Sequence, residues 1–178
     1  LAIGSLMYVN SKNAATLDPI NKLPYFSYIT QNNQIFTTSQ LQGKVTVADF
    51  FFTQCEGPCP AMNRYMKQLV KKNDSERIQF VSFSVDPLND DSKTISEYIS
   101  TRDLEYENWY FLETELVSIQ KLLEEGFYLS GDGLPGMHST KFILIDSNSN
   151  IVGFYDPFLE DELSMLQKHI KTLEKRIS

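Results

Sequence analysis

Among the residues of this 178-residue chain that could carry redox or metal chemistry, Cys55 and Cys59 come first: they are its only cysteines, and three residues separate them. Two thiols this close can form a disulfide, act as a redox couple or hold a metal ion. They lie in Phe50-Phe51-Phe52-Thr53-Gln54-Cys55-Glu56-Gly57-Pro58-Cys59-Pro60, which leads from an apolar run into a helical pattern. At such a junction the backbone N–H groups and the helix dipole favour thiolates. Disulfide oxidoreductases typically place two residues between their cysteines. Three residues make a roomier loop, able to close as a disulfide or to open around a soft metal ion. Two thiolates under-coordinate most ions, so a metal site needs a ligand from elsewhere. With neither four cysteines nor a cysteine pair matched by a histidine pair, a structural zinc module is disfavoured.

The loop must be held by its neighbours. Lys44 to Phe52 is apolar and β-branched, as expected of a central strand buried on both faces. Met62, Met66, Leu69 and Val70 recur at helical spacing, predicting a helix over 61–72 with Pro60 at its start. Ile78 to Val85 predicts a strand, Ser92 to Thr101 a helix, Trp109 to Leu112 a strand, and Leu116 to Glu125 a helix stopped at Gly126. Lys141 to Ser147 and Ile151 to Tyr155 form a hairpin. Leu163, Leu166, Ile170, Leu173 and Ile177 mark one stripe of a last helix. Upstream, Tyr25 to Ile29 and Gln34 to Thr37 read as an N-terminal β-hairpin. Strand–helix alternation closed by a hairpin and helix is an α/β arrangement. With a cysteine pair between a central strand and a helix, it suggests a thioredoxin-like fold, a central β-sheet flanked by helices. Residues 24–178 read as one domain, and 1–23 as an approach segment, irregular from Asn10 to Leu23.

That fold bears on the two histidines. His169 sits on the last helix and reads as a surface residue. His138 ends the loop Gly131-Asp132-Gly133-Leu134-Pro135-Gly136-Met137-His138, which enters the strand at Lys141. In a thioredoxin-like fold this loop lies against the cysteine loop, so His138 would face the sulfurs; a ligand and a hydrogen-bonded loop histidine both remain open. Two thiolates and an imidazole would suit Cu(I), and imidazole with thiolate also suits Cu(II).

G-K-V-x-V-A-D-F-F-F-T-x-C-x-x-x-C-P-x-M, then V-S-F-S-V-D-P, N-W-x-F-L and H-S-T-x-F-I-L-I-D, over residues 43–146, strongly resembles the Sco/SenC family. The resemblance implies a membrane-anchored, thioredoxin-fold protein on the periplasmic or intermembrane-space side, the bacterial periplasm here. It implies one copper bound by Cys55, Cys59 and His138, and a part in assembling the dinuclear copper site of cytochrome c oxidase subunit II. The part is that of copper donor or of thiol reductant. Many members carry Asp before the His; this chain has Met137, which removes a carboxylate able to orient the imidazole. Met137 could offer a thioether to Cu(I), but packing is the commoner role.

Two carboxylates stand near the motif. Asp49, six residues before Cys55 in an apolar strand, is placed like the buried Asp of thioredoxins that accepts a thiol proton. It could equally be a bonded strand-end Asp. Asp86 ends the next strand, either near the site or, as the commoner case, at the start of a turn before Pro87. A thiol–disulfide oxidoreductase acting on a partner's cysteines is the competing function, and it does not need His138. A peroxiredoxin is disfavoured, because Thr53 stands two rather than three residues before Cys55.

Composition is that of a soluble globular protein, 42% hydrophobic and 22% charged. A net charge of −7 argues against nucleic-acid binding and fits solubility, with neutral or basic partners if any. The opening L-A-I-G-S-L-M-Y-V lacks an initiating Met and is too short to span a bilayer, which takes about 20 apolar residues. It reads as the tail of an anchor or signal segment, or as a terminal strand.

Overall fold

The computed structural model describes residues 17–177; the opening run, and residues 10–16 of the approach segment, lie outside them. The strands are Asn21–Lys22 (β1), Ser27–Thr30 (β2), Ile35–Thr37 (β3), Val45–Phe51 (β4), Ile78–Ser84 (β5), Trp109–Glu113 (β6), Phe142–Ile145 (β7) and Asn150–Tyr155 (β8). The helices are Cys59–Lys72 (α1), Ser92–Thr101 (α2), Leu116–Lys121 (α3) and Glu160–Glu174 (α4). All eight strands join in one sheet, in the order β1-β8-β7-β4-β5-β6-β2-β3.

Each residue of β4 is buried, because the strand lies mid-sheet with helices over both faces. Its two-residue alternation divides the core. Val45, Val47 and Phe51 face α1, α2 and α4, where Met62, Met66, Ile95, Leu166 and Ile170 pack. Ala48 and Phe50 face Ile119, Leu122 and Leu123 on the other side, with Phe26 and Phe36 from the N-terminal hairpin. The same parity puts Asp49 under α1.

β5 and β6 run parallel to β4, whereas β7 runs antiparallel to it. The loops leaving β4, β5 and β6 and the loop entering β7 therefore meet at one edge of the sheet. In open α/β sheets that carboxyl edge is where ligands bind. Here it collects the cysteine loop, residues 86–91 and the histidine loop.

Three local readings change. The approach segment, read as irregular up to Leu23, contains β1, which pairs with β8 and is pinned by Asn21 Nδ2 donating to the carbonyls of Glu125 and Gly126 (3.0 and 2.7 Å). Helix α1 starts at Cys59, two residues early, because Pro58 already has helical dihedrals. Beyond α3 the chain widens into a π-turn over Leu122–Gly126, with Phe127 N bonded to Leu122 O (3.0 Å). Gly126 serves close packing there: a Cβ would stand 2.9 Å from Leu122 Cδ1 and 3.1 Å from Pro24 Cδ.

Candidate metal centre

The cysteine loop is tied down at its first turn. Thr53 donates from both its backbone N (3.2 Å) and its hydroxyl (2.6 Å) to Asp90, which lies behind the loop with no solvent exposure. Ser84 donates to the same carboxylate (2.6 Å), and Val85 N bonds to Phe51 O (2.9 Å). Cys55 N then closes a turn onto Phe52 O (3.2 Å), and Ala61 N and Met62 N bond to Pro58 O, starting α1. Both cysteines are free and buried, with Cys55 7% and Cys59 1% exposed.

The histidine loop is held more sparingly. Leu129 N bonds to Leu123 O (2.9 Å), Gln120 Nε2 reaches Gly131 O (3.4 Å), and Met137 N bonds to Gly133 O (3.0 Å). Gly131 presses against α3, where a Cβ would meet Gln120 Cα and O at 3.2 Å. His138 stands edge-on to Phe52, ring centroids 5.6 Å apart. Its Nδ1 lies 3.0 Å from Ser139 O, which assigns the ring proton to Nδ1 and leaves the Nε2 lone pair free. Nε2 is 3.8 Å from Cys59 Sγ.

Cys55, Cys59 and His138 thus come together, one donor atom from each, all within 4.8 Å of one another. An ion held by three ligands in a plane, at bonds of roughly 2.0–2.3 Å, spaces them by about 3.8 Å. The Cys59–His138 separation already has that value, and the set fits a soft ion after a small contraction.

Burial dominates the electrostatics and corrects the expectation of two thiols both easily ionised. Burial pushes the Cys59 thiol up, and the neighbouring Cys55 and Asp49 push the same way; together they outweigh the backbone hydrogen bond at Phe52, which pulls it down. Burial also lowers the pKa of His138, keeping the imidazole neutral. Asp49 is 1% exposed and accepts one hydrogen bond, from Ser82 Oγ (2.5 Å), itself bonded by Trp109 Nε1 (2.9 Å). Desolvation raises its pKa to about 7.

The other candidates are not among the three converging donors. Asp86 binds Asn89 Nδ2 through both carboxylate oxygens (3.0 and 2.9 Å) and accepts Asn89 N at its carbonyl, a turn residue as read. Met137 is 75% exposed and lies over Gly133. His169 is half-buried, its Nδ1 2.7 Å from Tyr155 Oη, rather than simply on the surface. Asp90 was missed. Its neighbour Asp91 caps α2, accepting from Thr94 N (2.7 Å), and nothing local in Asp90-Asp91-Ser92 separates the two acids.

The family model for SCO1/SenC matches residues 14–174. The chain belongs to the SCO1/SenC family. It is 39% identical over 98 residues to the SCO1 protein homolog of Bacillus subtilis, an alignment covering 53% of this chain and 51% of that protein. The chain spans about half the length of curated relatives it matches, the Bacillus protein among them. The structure of a SCO1/SenC family lipoprotein from Bacillus anthracis is similar at a TM-score of 0.77 and 34% identity, over 88% of this chain and 97% of that one. BsSco, described as having a disulfide switch and as a member of the Sco family of cytochrome c oxidase assembly proteins, is similar at 0.77 and 27%, over 89% and 96%. Bradyrhizobium japonicum ScoI, solved with copper bound, shares the fold at 0.68 and 21%, over 84% and 98%. The fold is thioredoxin-like. Among the described residues of this family member, no helix is long and apolar enough to cross a membrane.

Proposed function

We propose that this Sco/SenC protein binds one copper ion through Cys55 Sγ, Cys59 Sγ and His138 Nε2. It carries that ion in assembling the dinuclear copper site of cytochrome c oxidase, with subunit II as recipient. The work is done at the extracytoplasmic face of a membrane, on the bacterial periplasmic side, by a protein anchored outside the described residues. The observation that carries this reading is the convergence of two sulfurs and one unprotonated imidazole nitrogen within 4.8 Å. Family membership supports it, and so do the copper held by the Bradyrhizobium relative and the lipoprotein character of the Bacillus anthracis one.

The chain's own part is to supply donors and release protons. Burial favours the protonated Cys59 thiol, so binding copper there would release that proton. His138 arrives neutral, with its lone pair aimed at the sulfur. Forming a Cys55–Cys59 disulfide consumes both sulfur donors. Titration of the reduced chain against a Cu(I) chelator is therefore expected to give one copper per chain, and the oxidised chain none. Full loading of the oxidised chain, its disulfide verified by mass spectrometry, would discard this ligand set.

A second reading rests on the thiols alone. A thiolate of the pair attacks a partner's disulfide, the second thiol resolves the mixed disulfide, and two electrons with two protons pass to the partner. The disulfide switch named for BsSco favours keeping it. It needs no imidazole, so replacing His138 separates the two.

A further inference from the structure

Helix α1 carries Arg64, Lys67, Lys71 and Lys72 and no acidic residue. Its charge of +4 leaves −11 for the rest of a chain whose net charge is −7. The basic residues are not spread evenly round the helix. Arg64, Lys67 and Lys71, at positions i, i+3 and i+7, share one face, and α2 ends beside them. Between the two helices lies a groove of about 240 Å³, lined by Pro60, Asn63, Arg64, Lys67, Arg102 and Leu104.

The groove adjoins the metal centre, since Pro60 follows Cys59 directly. Asn63, one turn further on, donates to Tyr98 Oη (2.6 Å), and the Tyr98 ring packs on Phe51, centroids 5.6 Å apart. On Tyr98 lies the Arg102 guanidinium, 4.0 Å from the ring centroid. The stack pre-orients Arg102. Among the described residues no carboxylate pairs with Arg64 or Arg102. Lys67 is paired with Asp103 at 2.5 Å, but the Asp103 side chain is 88% exposed, so a second anion can readily displace it.

We infer that this groove docks an acidic segment of the protein with which the cysteine pair reacts. At 240 Å³ the groove is smaller than the roughly 300–1,000 Å³ of pockets for drug-sized ligands, and suits one or two short side chains. Arg64, Lys67 and Arg102 offer the donors that carboxylates require. A local basic patch on a molecule of net negative charge orients the encounter, because it attracts an acidic partner that the net charge repels. The face that attracts is the one bearing the start of α1. The inference reverses the preference for neutral or basic partners that net charge alone suggests. It rests on the proposed exchange with a partner protein, but its test need not.

The test is a chemical-shift titration of the reduced, copper-free chain with hexaglutamate and, separately, hexalysine at low salt. Hexaglutamate is expected to shift the Arg64 and Arg102 side-chain N–H signals and the Leu104 methyls, and hexalysine to leave them in place. Arg64→Glu, at an exposed position, should weaken hexaglutamate binding about two- to five-fold. Asp103→Asn, which frees Lys67, should strengthen it by a similar factor. Raising the salt to about 1 M, where the Debye length is about 3 Å, should abolish it. Shifts scattered over the chain, a stronger response to hexalysine or indifference to both substitutions would overturn the inference. Neither peptide carries a thiol or binds Cu(I) through sulfur, so a failure of the copper or reductase reading would leave this result standing. Rates of disulfide exchange between the oxidised chain and glutamate- or lysine-flanked dithiol peptides then complete the test. The glutamate-flanked peptide should react faster by about tenfold at low salt, and equal rates would sever the groove from the reaction.

Discussion

The cysteine loop and the histidine loop meet over one site but are built in opposite ways. The first spans a few residues between a fully buried strand and a helix, clamped from behind by Asp90, which takes bonds from Thr53 N, Thr53 Oγ and Ser84 Oγ. The second runs from Phe127 to Lys141 without a strand or helix, turns through Tyr128 and Gly133 at positive φ, and has Met137 exposed at its tip. One loop fixes two sulfurs by local covalent spacing. The other brings a nitrogen from 79 residues away and holds it with a few backbone bonds. The site thus has a tightly tied half and a sparingly tied half, and in the proposed copper function the second is the one suited to letting the ion go.

The comparison can be broken most directly at His138. His138→Ala leaves the thiols and α1 intact, so exchange with a small disulfide should stay within a few-fold of the parent. Copper affinity should fall at least about 100-fold, since losing even an outer partner of a ligand costs about 10–100-fold. Paired Cu(I) competition titrations and exchange rates on the same samples decide it. Unchanged affinity would remove the imidazole from the site and put the reductase reading ahead.

Asp90→Ala attacks the tightly tied half. It strands the Thr53 N–H and two hydroxyls in a dry interior, which should cost about 2–3 kcal/mol in denaturant unfolding. Copper affinity should drop by about tenfold as the loop loosens. A stability loss with affinity unmoved would show that α1 alone holds the sulfurs.

Gly131→Ala probes the sparingly tied half. Its Cβ would press on the Gln120 backbone at 3.2 Å, shifting the loop by a few tenths of an ångström. We expect a loss of about two- to five-fold in copper affinity with unfolding nearly unchanged, read by the same titration.

Asp49→Asn should leave copper stoichiometry alone and act on pH dependence. The folded-state pKa of Asp49 is about 7, raised chiefly by burial, against about 3.9 in an unfolded chain. The folded state thus binds the extra proton between those values. The contribution is fully present below about pH 4 and is lost as pH rises through 7. The full loss is on the order of 4 kcal/mol. Unfolding free energies of the Asn variant should lack that slope. The variant should also alkylate Cys59 faster at neutral pH, because the Asp49 charge opposes thiolate formation. Slower alkylation would instead restore Asp49 as a proton acceptor. Smallest of all, Met137→Leu should leave copper affinity within about twofold, as befits an exposed side chain over Gly133.

The cysteine pair, the buried strand before it and the helix after it were legible because their signals are local. Thiol spacing, a run of β-branched residues and a 3.6-residue stripe each depend on neighbours a few positions away. The last helix was legible for the same reason, with Leu166, Ile170 and Leu173 buried where the stripe put them. The alternation of strands and helices likewise implied the sheet, and the motifs over residues 43–146 carried the resemblance to the family to which the chain belongs. Three things were decided only by tertiary structure. The expectation that His138 faces the sulfurs became a distance, 3.8 Å from Nε2 to Cys59 Sγ, through the sheet order with β7 antiparallel to β4. Burial set the direction of the shift at Cys59, since desolvation depends on everything packed around an atom and not on its place in a motif. Asp90 and the groove of Arg64, Lys67 and Arg102 draw on residues far apart in the chain, whose meeting no local pattern encodes. The sequence by itself determined the donor types and the elements that bear them. Folding decided which donors converge, how dry they are and which charges surround them, because distance and dielectric exist only once the chain has packed.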